Sequence, residues 1–439
     1  MPKKGEAIVF NFNLHIRTLI AGLIFAVLAG CMANPFAPSV SLDDQSALIS
    51  DNKTQDVPVN GDYSALLQYS KTDAAAVREA KAELAAAESG VEVSKGQRGP
   101  GLAGTAATDH LGSLNQMASL EVRQPVWHGG RLSLSVRRSE LKAELAKTEL
   151  KAAQNMSAHR FVSVYFQWLQ SITEQKTRES YLVQASDVLN KIEREYRDGL
   201  VGQSEFLKAQ IQVDQLRRRV LVAQSSRQNA LVALESFLLA PQNEDLLYQK
   251  RPNVLLNVPR NMSIAQAVAN DPTVIAAYKF VEITKSDIEL HKLDGRPKID
   301  GVVKREWNSL GSAADGVGLT VNFTFSNPKL SKAQTNVLKN TLQANIAAVD
   351  TARADLMTNI TQAERLFASG TERMQTLSNI MLRANDALAS AQRQKRAGTG
   401  SWETVITAIT ELSELKVSFD QARLSAAEAA EHLRFYFGN

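Results

Sequence analysis

Tyr196–Ala209, YRDGLVGQSEFLKA, and Lys395–Ala408, KRAGTGSWETVITA, are the two stretches on which the fold turns. Each sets a short glycine corner between two long helical patterns, with Gly199 and Gly202 in the first and Gly398 and Gly400 in the second. Glycine at such a corner supplies the left-handed backbone that ends one helix before the next begins. The corners lie 199 positions apart, and the correspondence continues beyond them. After the first, Phe206, Ala209, Val213, Leu216, Val220, Ala223, Ala230, Leu234 and Phe237 recur in steps of three and four. The same offset gives Val405, Ala408, Leu412, Leu415, Phe419, Ala422, Ala429, Leu433 and Tyr436, and only Arg227 breaks the first seam, where the second has Ala426. A heptad seam predicts packed, left-handed supercoiled helices. The chain reads as a tandem duplication of one long helical hairpin.

Upstream of each corner runs a helix of unusual length. Arg131–Asp198 has no glycine or proline, and Leu330–Ala397 is interrupted only by Gly370. At 1.5 Å per residue each spans ~100 Å, several times an ordinary globular helix. Before these helices the period changes. Gly316–Phe325, GVGLTVNFTF, alternates strictly, with Val317, Leu319, Val321, Phe323 and Phe325 on one face and Gly318, Thr320, Asn322 and Thr324 on the other. That is a strand with an oily and a wet side. In the first half Leu120, Val122 and Val126 oppose Glu121, Arg123 and Pro125, the proline demoting its strand toward an end or edge. Gly101–Thr108 and Ile299–Trp307 are the candidate partner strands, and Gly311–Gly318, GSAADGVG, reads as a loop. A half-buried soluble sheet would alternate in the same way. Ala65–Val93 and Ile264–Leu293 are the helices that open the two halves, the second broken at Asn270-Asp271-Pro272.

The N-terminus has a different character. Residues 1–30 carry Lys3, Lys4 and Arg17 ahead of an apolar run, Leu19–Ala29, that is too short to span a bilayer as a helix. The run ends Leu28-Ala29-Gly30-Cys31, which resembles a bacterial lipobox and makes Cys31, the only cysteine, the expected lipidation site. The alternative is an ordinary signal peptide with an incidental cysteine. Residues 31–62, with Pro35, Pro38 and Pro58, read as an extended tether. Residues 63–240 and 263–439 are the two repeats, and 241–262 is a connector lying outside the hairpins with one short helix. The net charge of +4 owes part of its excess to the residues before Cys31, and carries no nucleic-acid signature.

No catalytic constellation emerges. His15, His110, His128, His159, His291 and His432 show no metal-ligand spacing, which favours surface or packing roles. Ser204 follows Gly202-Gln203 but lacks the second flanking glycine of a nucleophile elbow, and the glycines of 311–318 precede a strand rather than open a helix. There is no phosphate-binding loop, so any energy comes from a partner. Arg217-Arg218-Arg219 wraps three faces of a helix and reads as a solvated face, the lesser alternative being an adaptor or headgroup contact. The expectation is no enzyme, no metal and no cofactor apart from covalent lipid.

Two strands, a very long helix, a glycine corner and a return helix, made twice behind a signal peptide, resemble the TolC-type outer-membrane channel family. The local matches are Leu120–Leu132, LEVRQPVWHGGRL, both corners, and Asn270-Asp271-Pro272; the likeness covers about residues 63–437. It implies a mainly α fold with a small transmembrane β part. Three chains would share a twelve-stranded β-barrel continuous with a trimeric α-barrel that extends far into the periplasm. It further implies the exit duct of a tripartite efflux or type I secretion system in a Gram-negative outer membrane. The partners would be a periplasmic adaptor (membrane fusion protein) and an inner-membrane pump of the ABC or RND type. On this likeness Gly199, Leu200, Val201, Gly202, Gly398, Thr399 and Gly400 form adaptor-facing tips, and Val317, Leu319, Val321, Phe323 and Phe325 face lipid. Family members narrow the periplasmic entrance with carboxylates six and nine places after the second corner glycine. Here those positions are Thr404 and Thr407, with Glu403 the nearest acid and Trp402 either an apolar plug or a packing anchor. The competing reading is a lipid-anchored periplasmic coiled-coil adaptor or spacer without a pore, which leaves the strands and their repetition unexplained. A periplasmic hydrolase would lack an assembled site.

Overall fold

A computed structural model describes residues 62–108, 116–252, 256–258, 262–307, 312–323 and 327–437. Cys31, the signal segment and the tether up to residue 61 lie outside the described residues, as does Phe325. Helices α1 (Tyr63–Thr72) and α2 (Ala75–Gly96) lead into strands β1 (Gly101–Thr108) and β2 (Gln116–Trp127). The long helix α3 (Arg131–Arg197) and its return α4 (Gln203–Leu238) follow, then a short α5 (Glu244–Gln249). The second half repeats the plan with α6 (Ile264–Asn270), α7 (Pro272–Lys292), β3 (Lys298–Trp307), β4 (Ala313–Asn322), α8 (Pro328–Arg396) and α9 (Trp402–Phe437). The expected offset carries both ends of α4 onto the ends of α9, and the long helices agree to within two residues at their starts.

Three expectations change. Ala65–Val93 is two helices, because the chain breaks at Asp73-Ala74. Thr72 Oγ1 donates to the Asp73 carboxylate (2.5 Å), Lys81 Nζ donates to the Thr72 carbonyl (2.7 Å), and Ala74 is buried. The second repeat makes the same break with Asp271, whose side chain caps α7, and Pro272 in its first turn. The strand expected over Gly316–Phe325 begins earlier and ends earlier, so most of the expected 311–318 loop is strand. Gly316 and Gly318 occupy successive positions on one face of β4, where alternation rather than turn chemistry accounts for them. The connector is not outside the hairpins. Leu247 of α5 sits in the core with Tyr165, Trp168 and Leu238. Arg227, the residue that breaks the heptad seam, pairs with Glu244 (3.2 Å), which also accepts from Trp168 Nε1 (3.0 Å).

The seam prediction holds for α4, which buries Ala209, Val213, Leu216, Val220, Ala223, Ala230 and Leu234 along one stripe. Helix α9 buries more than one face, adding Ile406, Ile409, Leu424, Ala427 and Ala430. It packs against α8 of its own repeat and against α3 of the other. Gly370, deep in α8, permits part of this approach: a Cβ there would lie 2.9 Å from the Cβ of Ala426. Helix α8 by contrast buries few side chains and exposes Leu330, Val337, Ile346, Met357, Leu366 and Leu382.

Candidate functional site

The four strands form one antiparallel sheet in the order β1-β2-β3-β4, leaving β1 and β4 as its edges. The register sorts side chains into two faces, since directly paired residues share a side. One face carries the row Leu102, Val122, Val303, Val317. On the same face, Trp127, Ile299 and Val321 form a row toward the helices, and Ala118, Trp307 and Ala313 one toward the far end. The one charged pair on this side, Arg305–Asp315 (3.4 Å), is a single row of pairs from Trp307. The other face carries Glu121, Arg123, Asp300, Lys304, Glu306 and Asn322, with Arg123 donating to Glu121 (2.6 Å). Val317, Leu319, Val321 and Phe323 are 83%, 70%, 46% and 59% exposed, so this much of the expected oily stripe is present and uncovered among the described residues. Pro125 lies in an interior strand, but beyond Arg123, where β1 stops pairing, and next to a register shift. The missing N–H is therefore tolerated at the strand's end.

At the opposite end of the long helices are the two corners. Gly199 and Gly398 have φ of 74° and 75°, the left-handed conformation expected of them. The Leu200 N–H donates to the Glu195 carbonyl and the Gly199 N–H to that of Tyr196 (2.8 and 3.0 Å). Thr399 and Gly398 repeat the pattern onto Gln394 and Lys395. Both are Schellman caps, which satisfy carbonyls that a helix end leaves open. Gly202 has extended backbone and begins α4, and Val201 is buried while Leu200 is 76% exposed. Gly400 is held by space instead, since a Cβ would lie 3.0 Å from the Gln394 Cβ.

The corners are tied to each other, which no local pattern announces. Glu195 accepts from Trp402 Nε1 (2.7 Å) and pairs with Lys395 (3.1 Å), and Glu205 accepts from the Trp402 backbone N–H (2.9 Å). Trp402 packs between the two corners, half-buried beneath the Lys395 ammonium, as a packing anchor does. Glu403 pairs with Lys208 (3.5 Å), Thr404 contacts Ser401 (3.0 Å), and Gln212 donates to Thr407 (3.4 Å). Two turns further along α9, Glu414 accepts from Arg178 of α3 (2.8 Å) and from Arg219 of α4. Burial pushes its carboxyl up, but the two guanidiniums outweigh that and hold it below the usual range. Arg219, expected as part of a solvated face, is therefore a tie between the repeats, whereas Arg217 pairs only along its own helix with Asp214.

Among the described residues no helix is long and apolar enough to cross a membrane, and no group of three or more His, Cys, Asp or Glu converges as a metal site. The outer membrane efflux protein family matches residues 66–238, from α1 to the end of α4. A comparison with curated protein sequences finds no match. Among solved structures, the chain resembles the outer membrane protein VceC of Vibrio cholerae at 14% identity and a TM-score of 0.70, over 85% of this chain and 95% of that one. It resembles the open state of the Neisseria gonorrhoeae MtrE outer membrane channel at 16% and 0.72, over 85% and 88%. For the Campylobacter jejuni CmeC outer membrane channel the values are 14% and 0.67, over 85% and 84%. The first repeat thus matches the outer membrane efflux protein family, and the fold that spans both repeats is similar to that of these outer-membrane channels.

Proposed function

We propose that three copies of this chain form an outer-membrane exit duct, a passive conduit opened when a periplasmic adaptor and an inner-membrane pump engage its tips. The observation that carries this reading is the two-faced sheet with its two free edges. Four strands cannot close alone, and an open edge facing lipid leaves backbone groups without partners. Twelve strands from three copies close with no edge, oily face outward and polar face lining the lumen. From Ile299 to Trp307 a strand runs ~26 Å at ~3.3 Å per residue, or ~20 Å of height at a barrel tilt of ~40°, which is most of the ~25 Å apolar band that aromatic girdles bracket in outer-membrane barrels. The apolar side chains that α8 leaves uncovered, Val337, Met357 and Leu366 among them, supply further contact area for a neighbouring copy.

In this arrangement the tips around Gly199 and Gly398 sit far from the membrane and meet the adaptor. Export through an efflux or type I secretion assembly needs no chemistry from the duct itself. Lipid on Cys31 adds a second membrane attachment at the outer membrane. Alkaline extraction of outer-membrane fractions tests the reading. Wild type and Cys31→Ala should both resist extraction, because the barrel holds them. Release of the Cys31→Ala protein into the soluble fraction would indicate a spacer held by its lipid alone. Fatty-acid labelling that fails to distinguish the two proteins would remove the lipid from the account.

A further inference from the structure

Helix α4 has a second apolar stripe, on the side away from its buried one. Leu207, Ile211, Leu221 and Val232 are all exposed and fall on two adjoining heptad positions. Helix α8 also leaves a second face open, and that face is different in kind. Ala368, Gln375, Leu382 and Ala389 follow one another at intervals of seven, and Thr371, Ser378 and Asn385 line the adjoining heptad position. Neither row carries a charge, whereas Arg365, Glu372, Asp386 and Arg393 share one heptad line on the face beside it. Within the chain Ala368, Gln375, Ser378, Leu382 and Asn385 are exposed. A helix face that water keeps would take its share of the charge. A face cleared of charge and set largely with small side chains is shaped to receive another helix.

We infer that α4 of one copy packs antiparallel on α8 of the next, with its outer apolar stripe seated along this charge-free row. The inference rests on the three-copy reading above and says which helices meet, and in what register. The corner ties fix that register. Glu195, Glu205 and Trp402 hold the two corners of a chain together, and a rotation axis along the long helices keeps the corners of neighbouring copies level. Residues equally far from their corners then face each other. Leu221 is 18 residues from the start of α4, and Ser378 is 18 from the end of α8. Ile211 and Ala389 are 8 and 7 away, and Val232 and Ala368 are 29 and 28, so at 1.5 Å per residue each pair shares its height to within about 1.5 Å. Two heptad rows could have missed each other by up to about three residues. The polar breaks in the α4 stripe agree as well, Asp214 standing level with Asn385 and Gln228 with Thr371. The match ends beyond Val232, where Glu235 is level with Glu364 and its carboxylate accepts from the Gln242 N–H (2.9 Å).

Cysteine pairs test this in the full-length protein in outer membranes. Leu221→Cys combined with Ser378→Cys, treated with a short bismaleimide, should run under denaturing conditions as covalent species of two and three chains and none larger. Val232→Cys combined with Ala368→Cys should do the same, which keeps the test decisive if one pair fails to fold. Each single variant should stay at the mass of one chain, as should Leu221→Cys combined with Glu372→Cys on the charged line. A three-chain particle by native mass spectrometry from which neither pair yields covalent species would overturn the inference and leave the duct standing. A wild-type particle of one or two chains would overturn both. Linkage beyond three chains, equal linkage from the Glu372→Cys pair, or linkage to a different protein instead would also overturn it.

Discussion

A lysine at Val317 puts a charge halfway between the two tryptophan rows of the sheet. Val317 pairs with Val303, which is four residues from Ile299 and four from Trp307. At ~3.3 Å per residue the charge is ~13 Å from either row, beyond the reach of a lysine side chain seeking the interface. In a lipid-facing barrel position at this depth a Lys or Arg costs about 2–4 kcal/mol, or ~30- to ~700-fold in the folded population per copy. Three symmetry-related, well-separated copies add to roughly 6–12 kcal/mol, comparable with the whole net stability of an ordinary domain. The control is Ala103→Lys, at nearly the same depth on the other face and directly opposite Glu121. An exposed ion pair there changes stability by no more than about 1 kcal/mol. The assay is the fraction of each protein recovered as folded, heat-modifiable species in outer-membrane fractions. Val317→Lys should be nearly absent and Ala103→Lys close to wild type. Equal recovery of the two would refute the lipid-facing assignment, and the reverse order would invert the sheet.

Three further outcomes are expected. Valine at Gly199 or Gly398 must enter a left-handed backbone at a cost of at least ~1–2 kcal/mol, confined to the tip. Both variants should reach the outer membrane but lose export, and normal export by both would remove the tips from the mechanism. Gly370→Ala presses a methyl against Ala426 and should lower the melting temperature by an overpacking cost of about 1–3 kcal/mol, whereas Ala426→Gly in the same chain should restore most of it. Additive losses in the double variant would show that the two helices do not approach as described. Finally, with Thr404 and Thr407 at the family's carboxylate positions and Glu403 paired to Lys208, trivalent cations on the periplasmic side should block little in planar-bilayer recordings. Strong block of wild type, unchanged in Glu403→Gln, would contradict that mapping.

Much of this architecture was legible because its signals are local. The corner glycines, the heptad seam of α4 and α9, and the alternation of Val317, Leu319 and Val321 each follow from a few adjacent residues and one periodicity. What escaped is set by individual side-chain contacts that no periodicity announces, most of them between residues distant in sequence. The Asp73–Ala74 break contains no proline and is made by side-chain bonds to Thr72 and Lys81. The second buried face of α9 exists because α3 of the other repeat lies against it, and a seam search finds only one face. The tip ties through Glu195, Glu205 and Trp402, and the contact of His159 with His432, join residues 197 to 273 positions apart, where no spacing rule applies. Glycines 316 and 318 misled because they suit a turn as well as the small side of a strand.

The central claim is that the open four-stranded sheet is one third of a closed barrel. Native mass spectrometry of the protein extracted from outer membranes in mild detergent counts its copies directly. The account predicts three chains per particle for wild type and Ala103→Lys alike, with almost no particle recovered from Val317→Lys. A monomer or a dimer that retains the folded sheet would contradict it.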